Sequence, residues 1–220
     1  MLYWLLILII PVAASLNVNM TYGKYSRISN ARGWTADQVA RKILDSNGLS
    51  NIKIERISGN LTDHFDPTAN VIRLSDSVYG QTSVAAIGVA AHECGHAVQH
   101  AENYSPIVIR SKLVPITNFC SNASYILIVL GMILSFNTLL INIGIILFLA
   151  VVAFQLVTLP VEFNASSRAL KTLKNEYILE ADEVSKAAKV LRAAALTYVA
   201  SFLTTVIQLL RLIGISRRSD

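Results

Sequence analysis

Charge is scarce in this sequence. Asp, Glu, Lys and Arg make up 15% of its 220 residues, and hydrophobic residues make up 53%. Soluble domains carry about 25% charged residues, so this composition excludes an ordinary soluble domain, and the high apolar content excludes disorder. Cysteine is rare as well, because Cys94 and Cys120 are too few for a disulfide framework. Three runs of 18 or more residues hold no charged residue, at 1–23, 113–161 and 193–210. With about 20 apolar residues needed per span, they predict one, two and one membrane helices.

These runs and the charged stretches between them predict how the chain is organised. We expect an amino-terminal transmembrane anchor at 1–23, a domain at 24–112, a transmembrane hairpin at 113–161, a helical segment at 162–192, and a carboxy-terminal transmembrane helix with its tail at 193–220. A polar break at Ser135-Phe136-Asn137 marks the tip of the hairpin. No basic segment precedes the first apolar run, which indicates a retained anchor and not a cleaved signal peptide.

Basic residues predict the orientation of the chain in the membrane. Lys24, Arg27 and Arg32 follow the first run directly. The positive-inside rule therefore places the stretches 24–112 and 162–192 in the cytoplasm of a multi-pass protein. The net charge of +5 is then a sign of topology and of attraction to anionic lipid headgroups. No aromatic-rich basic patch accompanies it, so we expect a lipid bilayer and no nucleic acid as a partner.

Three arginines do not fit this orientation. Arg211, Arg217 and Arg218 follow the last apolar run and would lie on the outer side, although they would prefer the cytoplasm. A last helix that is re-entrant or lies along the membrane surface would remove the conflict. The sequence leaves both arrangements open.

The charged stretch after the first run predicts a small unit of a helix and a β-hairpin. Residues 35–47 have apolar side chains at helical spacing, with Thr35 as N-cap and Gly48 as the stop. Residues 51–57 and 71–74 alternate between apolar and polar side chains, as half-buried strands do. The residues between these two strands are rich in turn formers and would form the hairpin connection.

One motif carries chemistry. His92-Glu93-Cys94-Gly95-His96 is an HExxH sequence, which a shuffled chain of this composition would contain roughly 0.002 times. On a helix, positions i and i+4 share one face, so both imidazoles can reach one metal ion. Glu93 stands where its carboxylate can take a proton from a zinc-activated water. We predict one zinc ion per chain, with His92 and His96 as ligands and Glu93 as the catalytic base.

A catalytic zinc site needs a third protein ligand and keeps its fourth position for water. Gln99 and Glu102 occupy the positions that a metzincin would fill with Gly and His, which excludes that class. An intramembrane protease of the site-2 type is disfavoured, because the apolar run before His92 is too short to span a membrane and the chain has no Asp-Gly pair.

The remaining candidates for the third ligand are glutamates further along the chain: Glu162, Glu176, Glu180 and Glu183. Glu162 stands at the exit of the third predicted span, where a charge is costly without a partner, and a zinc ion would supply one. It could instead mark the membrane boundary and pair with Arg168. The other three alternate with lysines as on a solvated helix face.

Further residues have weaker claims. His64 could contact the substrate or stabilise an oxyanion. It could equally be a turn residue, with Asp63 and Asp66 shaping the backbone around it. His100 lies one turn beyond His96 and could act as an outer hydrogen-bonding group. The strand at 71–74 could offer a sheet edge to an extended peptide.

Four segments together resemble one family: HECGH at 92–96, LTDHFDP at 61–67, LPVEFNASSRAL at 159–170 and AAALTYVA at 193–200. They resemble the YugP-type neutral zinc metallopeptidases of bacterial membranes over nearly the whole chain. That family is similar to the gluzincins that include the heat-shock membrane protease and the CAAX prenyl protease.

In those relatives the third ligand is the Glu of a Glu-x-x-Ala-Asp sequence, which the resemblance transfers to Glu162. Ser166 replaces the Asp of that sequence, and Asn164 stands where the family usually carries a carboxylate. We expect both departures to weaken the hydrogen bonding that orients a His ligand.

The sequence therefore predicts a mainly α-helical membrane protein. It would have about four transmembrane helices, with a zincin-like HExxH helix and a small β-hairpin in a cytoplasmic domain. The expected function is that of a zinc metalloendopeptidase of the bacterial plasma membrane that cleaves peptides or membrane proteins at the cytoplasmic surface. The alternative is a weak or inactive membrane adaptor that retains a structural zinc. A transporter is disfavoured, because the uncharged runs contain no Asp, Glu, Lys, Arg or His.

Overall fold

The structure is a computed structural model that describes residues 2–216. These residues form six helices and three strands: α1 Leu2–Tyr25, α2 Ala36–Ser46, β1 Lys53–Ile57, β2 His64–Asp66, β3 Val71–Ser75, α3 Val84–Ala101, α4 Ser105–Ile133, α5 Thr138–Asn175 and α6 Ala181–Ser216. The chain divides into two compact units. The apolar unit comprises the described residues of Met1–Ser15, Ser105–Pro160 and Thr197–Asp220, and the polar unit comprises Leu16–Tyr104 and Val161–Leu196.

Four helices of the described chain are long and apolar enough to cross a membrane, namely α1, α4, α5 and α6. This confirms the number of candidate membrane helices predicted from the uncharged runs. The predicted break in the long run is confirmed too, because α4 ends at Ile133 and α5 begins at Thr138, with positive φ angles at Ser135 and Phe136. Helix α6 continues without interruption through Arg211. The other two arginines of the orientation conflict, at 217 and 218, lie outside the described residues.

Small residues let α4 and α5 pack closely in the apolar unit. A Cβ atom added to Gly144 would lie 2.6 Å from Cγ1 of Ile128 and 3.1 Å from the carbonyl oxygen of Ser124. The Ser124 hydroxyl donates a hydrogen bond of 2.7 Å to the Gly144 carbonyl. Close backbone approach and such hydrogen bonds stabilise helix pairs in lipid, where no hydrophobic effect drives them together. The hairpin is therefore held by its small residues.

Helix α3 lies in the core of the polar unit. The Ser83 side chain caps its first turn by accepting a hydrogen bond from the amide of Ala86. Its small residues allow neighbouring helices to approach, as a Cβ atom at Gly88 would lie 3.3 Å from that of Ala187. Helix α2 packs beside it. Thr35 is its N-cap, and Gly48, with φ +72°, follows its end, as the sequence predicts.

The sheet corrects the predicted hairpin. The two strands expected from alternation are present as β1 and β3, but they pair in parallel, with Lys53 opposite Val71 and Ile57 opposite Ser75. The third strand, β2, pairs antiparallel with β3, so the order is β1-β3-β2. The supposed turn region contains β2, whose three residues are too few to show an alternating pattern. Because β3 is the central strand, it cannot offer a free edge to a peptide, whereas β1 and β2 are the edge strands.

Candidate metal centre

The contact between α3 and α5 creates the site. Gly95 lies against the backbone of Ala165, and a Cβ atom added at Gly95 would come within 2.7 Å of the Ala165 carbonyl oxygen. A glycine is therefore required in the middle of the HExxH motif. The same contact brings Glu162, one turn earlier on α5, next to the histidine face of α3.

Three donor atoms converge there. The Nε2 atoms of His92 and His96 lie 3.1 Å apart, and Oε2 of Glu162 lies 3.3 Å from the first and 3.5 Å from the second. Zinc bonds of about 2.0–2.1 Å in a tetrahedron require ligand atoms about 3.3–3.4 Å apart. Two imidazole nitrogens and one carboxylate oxygen are also a common donor set for zinc. Among the described residues this is the group whose ligand atoms could hold a metal ion, and its geometry fits zinc.

The other ring nitrogen of each histidine has a hydrogen-bond partner. Nδ1 of His92 lies 3.1 Å from the Ser166 hydroxyl, and Nδ1 of His96 lies 3.0 Å from Oε1 of Gln99. Partners in these positions fix the orientation of metal-binding imidazoles. Ser166 therefore takes part in the hydrogen bonding that its replacement of Asp was expected to weaken. A neutral hydroxyl still forms a weaker hydrogen bond than a carboxylate does.

Gln99 is fully buried and connects the site to α5. Its Nε2 atom donates hydrogen bonds to the carbonyl of Val161 at 2.8 Å and to Oδ1 of Asn164 at 2.9 Å. Because the Val161 carbonyl can only accept, the amide must present its oxygen to His96. In the sequence, Gln99 stands out only as a mismatch to the metzincin motif. Its role could not be found there, since the partners lie more than 60 positions away on α5.

Asn164 and Arg168 extend this network to the surface. The Arg168 Nε atom donates to Oδ1 of Asn164 at 2.7 Å, and its guanidinium pairs with Glu102 at 2.7 Å. The alternative in which Arg168 pairs with Glu162 is therefore wrong, because Glu102 takes that place. Asn164 supports His96 indirectly through Gln99, so both departures from the family sequence contribute contacts to the site.

Glu93 is 8% exposed and lies close enough to His96 for its charge to act on that imidazole. Asp63 lies close enough to Glu93 for their charges to interact: burial raises the pKa of Asp63, and the charge of Glu93 raises it further, against the hydrogen bonds from Ser75. Cys94 points away from the site, because its thiol lies 3.5 Å from the Ala40 carbonyl of α2, and burial raises its pKa. Of the residues between the two histidines, Glu93 thus belongs to the site and Cys94 to the core.

His64 is not among the residues that the structure brings together. It lies on β2, where its Nδ1 atom contacts the Thr62 carbonyl at 2.9 Å and its Nε2 atom lies 3.4 Å from Arg73. Arg73 also pairs with Asp66 at 2.9 Å. His100 is exposed and meets the ring of Phe65 edge-on at 5.9 Å. Both histidines therefore have contacts within or against the sheet.

The three alternative glutamates have other partners. Glu176 accepts a hydrogen bond from Ser46, and Glu180 pairs with Arg32 at 3.5 Å. Glu183 is buried, which corrects the expectation of a solvated position. It accepts hydrogen bonds from the amides of Ala31 at 2.7 Å and Glu180 at 2.8 Å and so caps the start of α6.

Comparison with known proteins agrees with this geometry. Residues 1–217 match the model of the family described as "Putative neutral zinc metallopeptidase", and the chain belongs to that family. A relative in Bacillus subtilis (strain 168), described as "Putative membrane protease YugP", is 49% identical over 203 residues, which cover 92% of this chain and 89% of the relative. No solved structure matches the chain. The membrane relative and the four apolar helices together indicate a membrane protein.

Proposed function

We propose that this protein is a membrane-bound zinc metallopeptidase that hydrolyses peptide bonds at the cytoplasmic surface of the bacterial plasma membrane. The observation that carries the proposal is the convergence of His92, His96 and Glu162 within 3.5 Å of one another. Membership of a zinc metallopeptidase family supports it. The cytoplasmic location rests on the basic residues that follow the first apolar run.

Each side chain has a part in this mechanism. Zinc held by the three ligands would polarise the carbonyl of a peptide bond and lower the pKa of a water molecule to about 7. Glu93 follows His92 on α3, and its carboxylate would accept the proton of the attacking water and then donate it to the leaving amine. Ser166 and Gln99 would hold the two imidazoles with Nε2 directed to the ion.

The number of protein ligands favours catalysis over a structural role. Structural zinc sites are closed by four protein ligands, whereas catalytic sites have three and keep one position open. The described group contains two histidines and one glutamate. Glu93 stands next to it as a candidate base, which a structural site would not need. The adaptor alternative therefore has less support than the enzyme.

Substrates would be membrane proteins or their segments near the bilayer. Pro160 is the last residue of the segment Ser105–Pro160 of the apolar unit, and Glu162 stands two positions later along α5. A ligand so close in sequence to an apolar helix segment supports a site near lipid. Cleavage of soluble peptides alone, at full rate without any bilayer, would contradict this part of the proposal.

The test is a comparison of Glu93→Gln with wild type in proteoliposomes, using membrane-anchored and soluble peptide libraries as substrates. The variant keeps all three ligands, so we expect it to bind zinc normally and to lose peptidase activity. Glu176→Gln is the matched control, since it removes one carboxylate that contacts Ser46, and it should remain active. Equal activity of Glu93→Gln and wild type, or no activity in a zinc-loaded wild type, would favour the adaptor.

A further inference from the structure

The apolar unit contains a cavity that the peptidase function does not use. Its volume is about 470 Å³, which lies within the range of roughly 300–1,000 Å³ of ligand pockets. Residues of α1, α4, α5 and α6 line it, and most of them are apolar or aromatic; they include Trp4, Ile128, Phe148, Leu212 and Arg211. An apolar cavity with one cation at its wall suits an amphipathic anion.

Arg211 is held at the wall of this cavity. Its guanidinium carbon lies 3.8 Å from the centre of the Trp4 ring, and its Nη1 atom donates to Oε1 of Gln208 at 3.2 Å. A cation–π contact and a neutral amide orient a guanidinium but leave its charge uncompensated. Five donor hydrogens in a planar fork also match the oxygens of a phosphate.

The described part of the apolar unit cannot neutralise this charge. Residues 2–15, 105–160 and 197–216 contain Arg110, Lys112 and Arg211 but no Asp or Glu. An arginine at the end of an apolar helix segment is costly without an anionic partner. The partner of Arg211 must then come from outside this part of the chain, and the surrounding bilayer offers phosphate groups attached to acyl chains.

We propose that this cavity is a binding site for an anionic phospholipid. The headgroup phosphate would bind the Arg211 guanidinium, and part of one acyl chain would lie in the cavity beside Trp4 and Ile128. The site is independent of the zinc centre, because its lining residues all belong to the apolar unit. A bound phosphate would also offset the cost of the Arg211 charge at the end of the last uncharged run.

Trp4 provides a direct readout of this site. The chain has two tryptophans, so Trp34→Phe leaves Trp4 as the sole tryptophan signal of the full-length protein. The protein would be reconstituted in phosphatidylcholine vesicles. One series would contain increasing fractions of phosphatidylglycerol with brominated acyl chains, and the other would contain increasing fractions of phosphatidylcholine with brominated acyl chains. We expect brominated phosphatidylglycerol to quench Trp4 at a fraction about fivefold lower than brominated phosphatidylcholine, since one basic residue contributes about that preference for anionic lipid.

Charge variants separate a built site from general attraction. Arg211→Gln should abolish the preference for phosphatidylglycerol, and Arg211→Lys should retain most of it. Lys112→Gln removes the same charge from the same unit away from the cavity and should leave the preference unchanged. Inorganic phosphate should neither quench Trp4 nor displace the lipid, because it lacks the acyl chain. Equal quenching by both lipids in the wild type would overturn the proposal, as would an equal loss of preference in Lys112→Gln and Arg211→Gln.

Discussion

Both units pack two helices together through a glycine, but the result differs. In the apolar unit, Gly144 lies against Ser124 and Ile128, and the contact only holds the hairpin of α4 and α5. In the polar unit, Gly95 lies against Ala165, and the contact also brings Glu162 to two histidines. Close helix packing is thus common to both units, while chemistry arises where ionisable residues flank the contact.

The largest expected effect is on catalysis. Glu93→Gln should lower kcat/KM by at least about 10²–10⁴-fold, because a positioned acid–base group contributes that much. Zinc content and the melting temperature should stay close to wild type, since the amide keeps the shape of the carboxylate. Peptidase assays and zinc analysis on the same preparation would measure both. A loss of zinc together with activity would show that Glu93 acts structurally.

The two glycine contacts should respond differently to the same substitution. Gly95→Val and Gly144→Val should each destabilise the protein by about 1–3 kcal/mol, the cost of overpacking. Only Gly95→Val should also lower the zinc bound per folded chain, because it pushes α5 and Glu162 away from α3. Thermal unfolding in detergent and zinc analysis of the folded fraction would test this. Equal zinc per folded chain in the two variants would show that the Gly95 contact does not position the metal ligands.

Gln99 should act as a positioning residue for His96. Gln99→Leu removes the hydrogen bond to Nδ1 of His96, and Asn164 loses the hydrogen bond from the Gln99 amide. We therefore expect zinc affinity to fall by about 10–100-fold. Zinc competition with a fluorescent chelator would measure the affinity. Unchanged affinity in Gln99→Leu would mean that the imidazole is oriented by other contacts.

A smaller change is expected at Ser166. Ser166→Asp would replace a neutral partner of His92 by a carboxylate, which forms a stronger hydrogen bond with an imidazole N–H. We expect zinc affinity to rise by up to about tenfold, at the low end of the effects of such partners. The same chelator competition would measure it. Weaker binding in this variant would show that the site is adapted to the hydroxyl.

The smallest effect is expected at His64. Its contacts with Thr62 and Arg73 lie within the sheet, so His64→Asn should change kcat/KM by less than about twofold, as surface substitutions usually cost little. Steady-state kinetics would measure it. A loss of tenfold or more in kcat/KM, with zinc retained, would support the alternative that His64 contacts the substrate.

The sequence predicts those features that depend on local pattern. Absence of charge indicates the four apolar helices, helical spacing with a cap at Thr35 indicates α2, and the spacing of His92 and His96 places them on one helix face. Alternation indicates β1 and β3 but cannot distinguish parallel from antiparallel pairing, because both have the same period. The partners of Gln99 and the capping role of Glu183 depend on contacts between distant segments, so no local pattern reveals them.

The most direct test of the proposed metal centre is the zinc content of the detergent-purified protein. Wild type would be measured beside Glu162→Ala, with Glu176→Ala as a control that removes an alternative carboxylate just beyond the end of α5. We expect one zinc per chain in wild type and in the control, and markedly less in Glu162→Ala. Equal zinc in all three proteins would contradict the assignment of Glu162 as the third ligand.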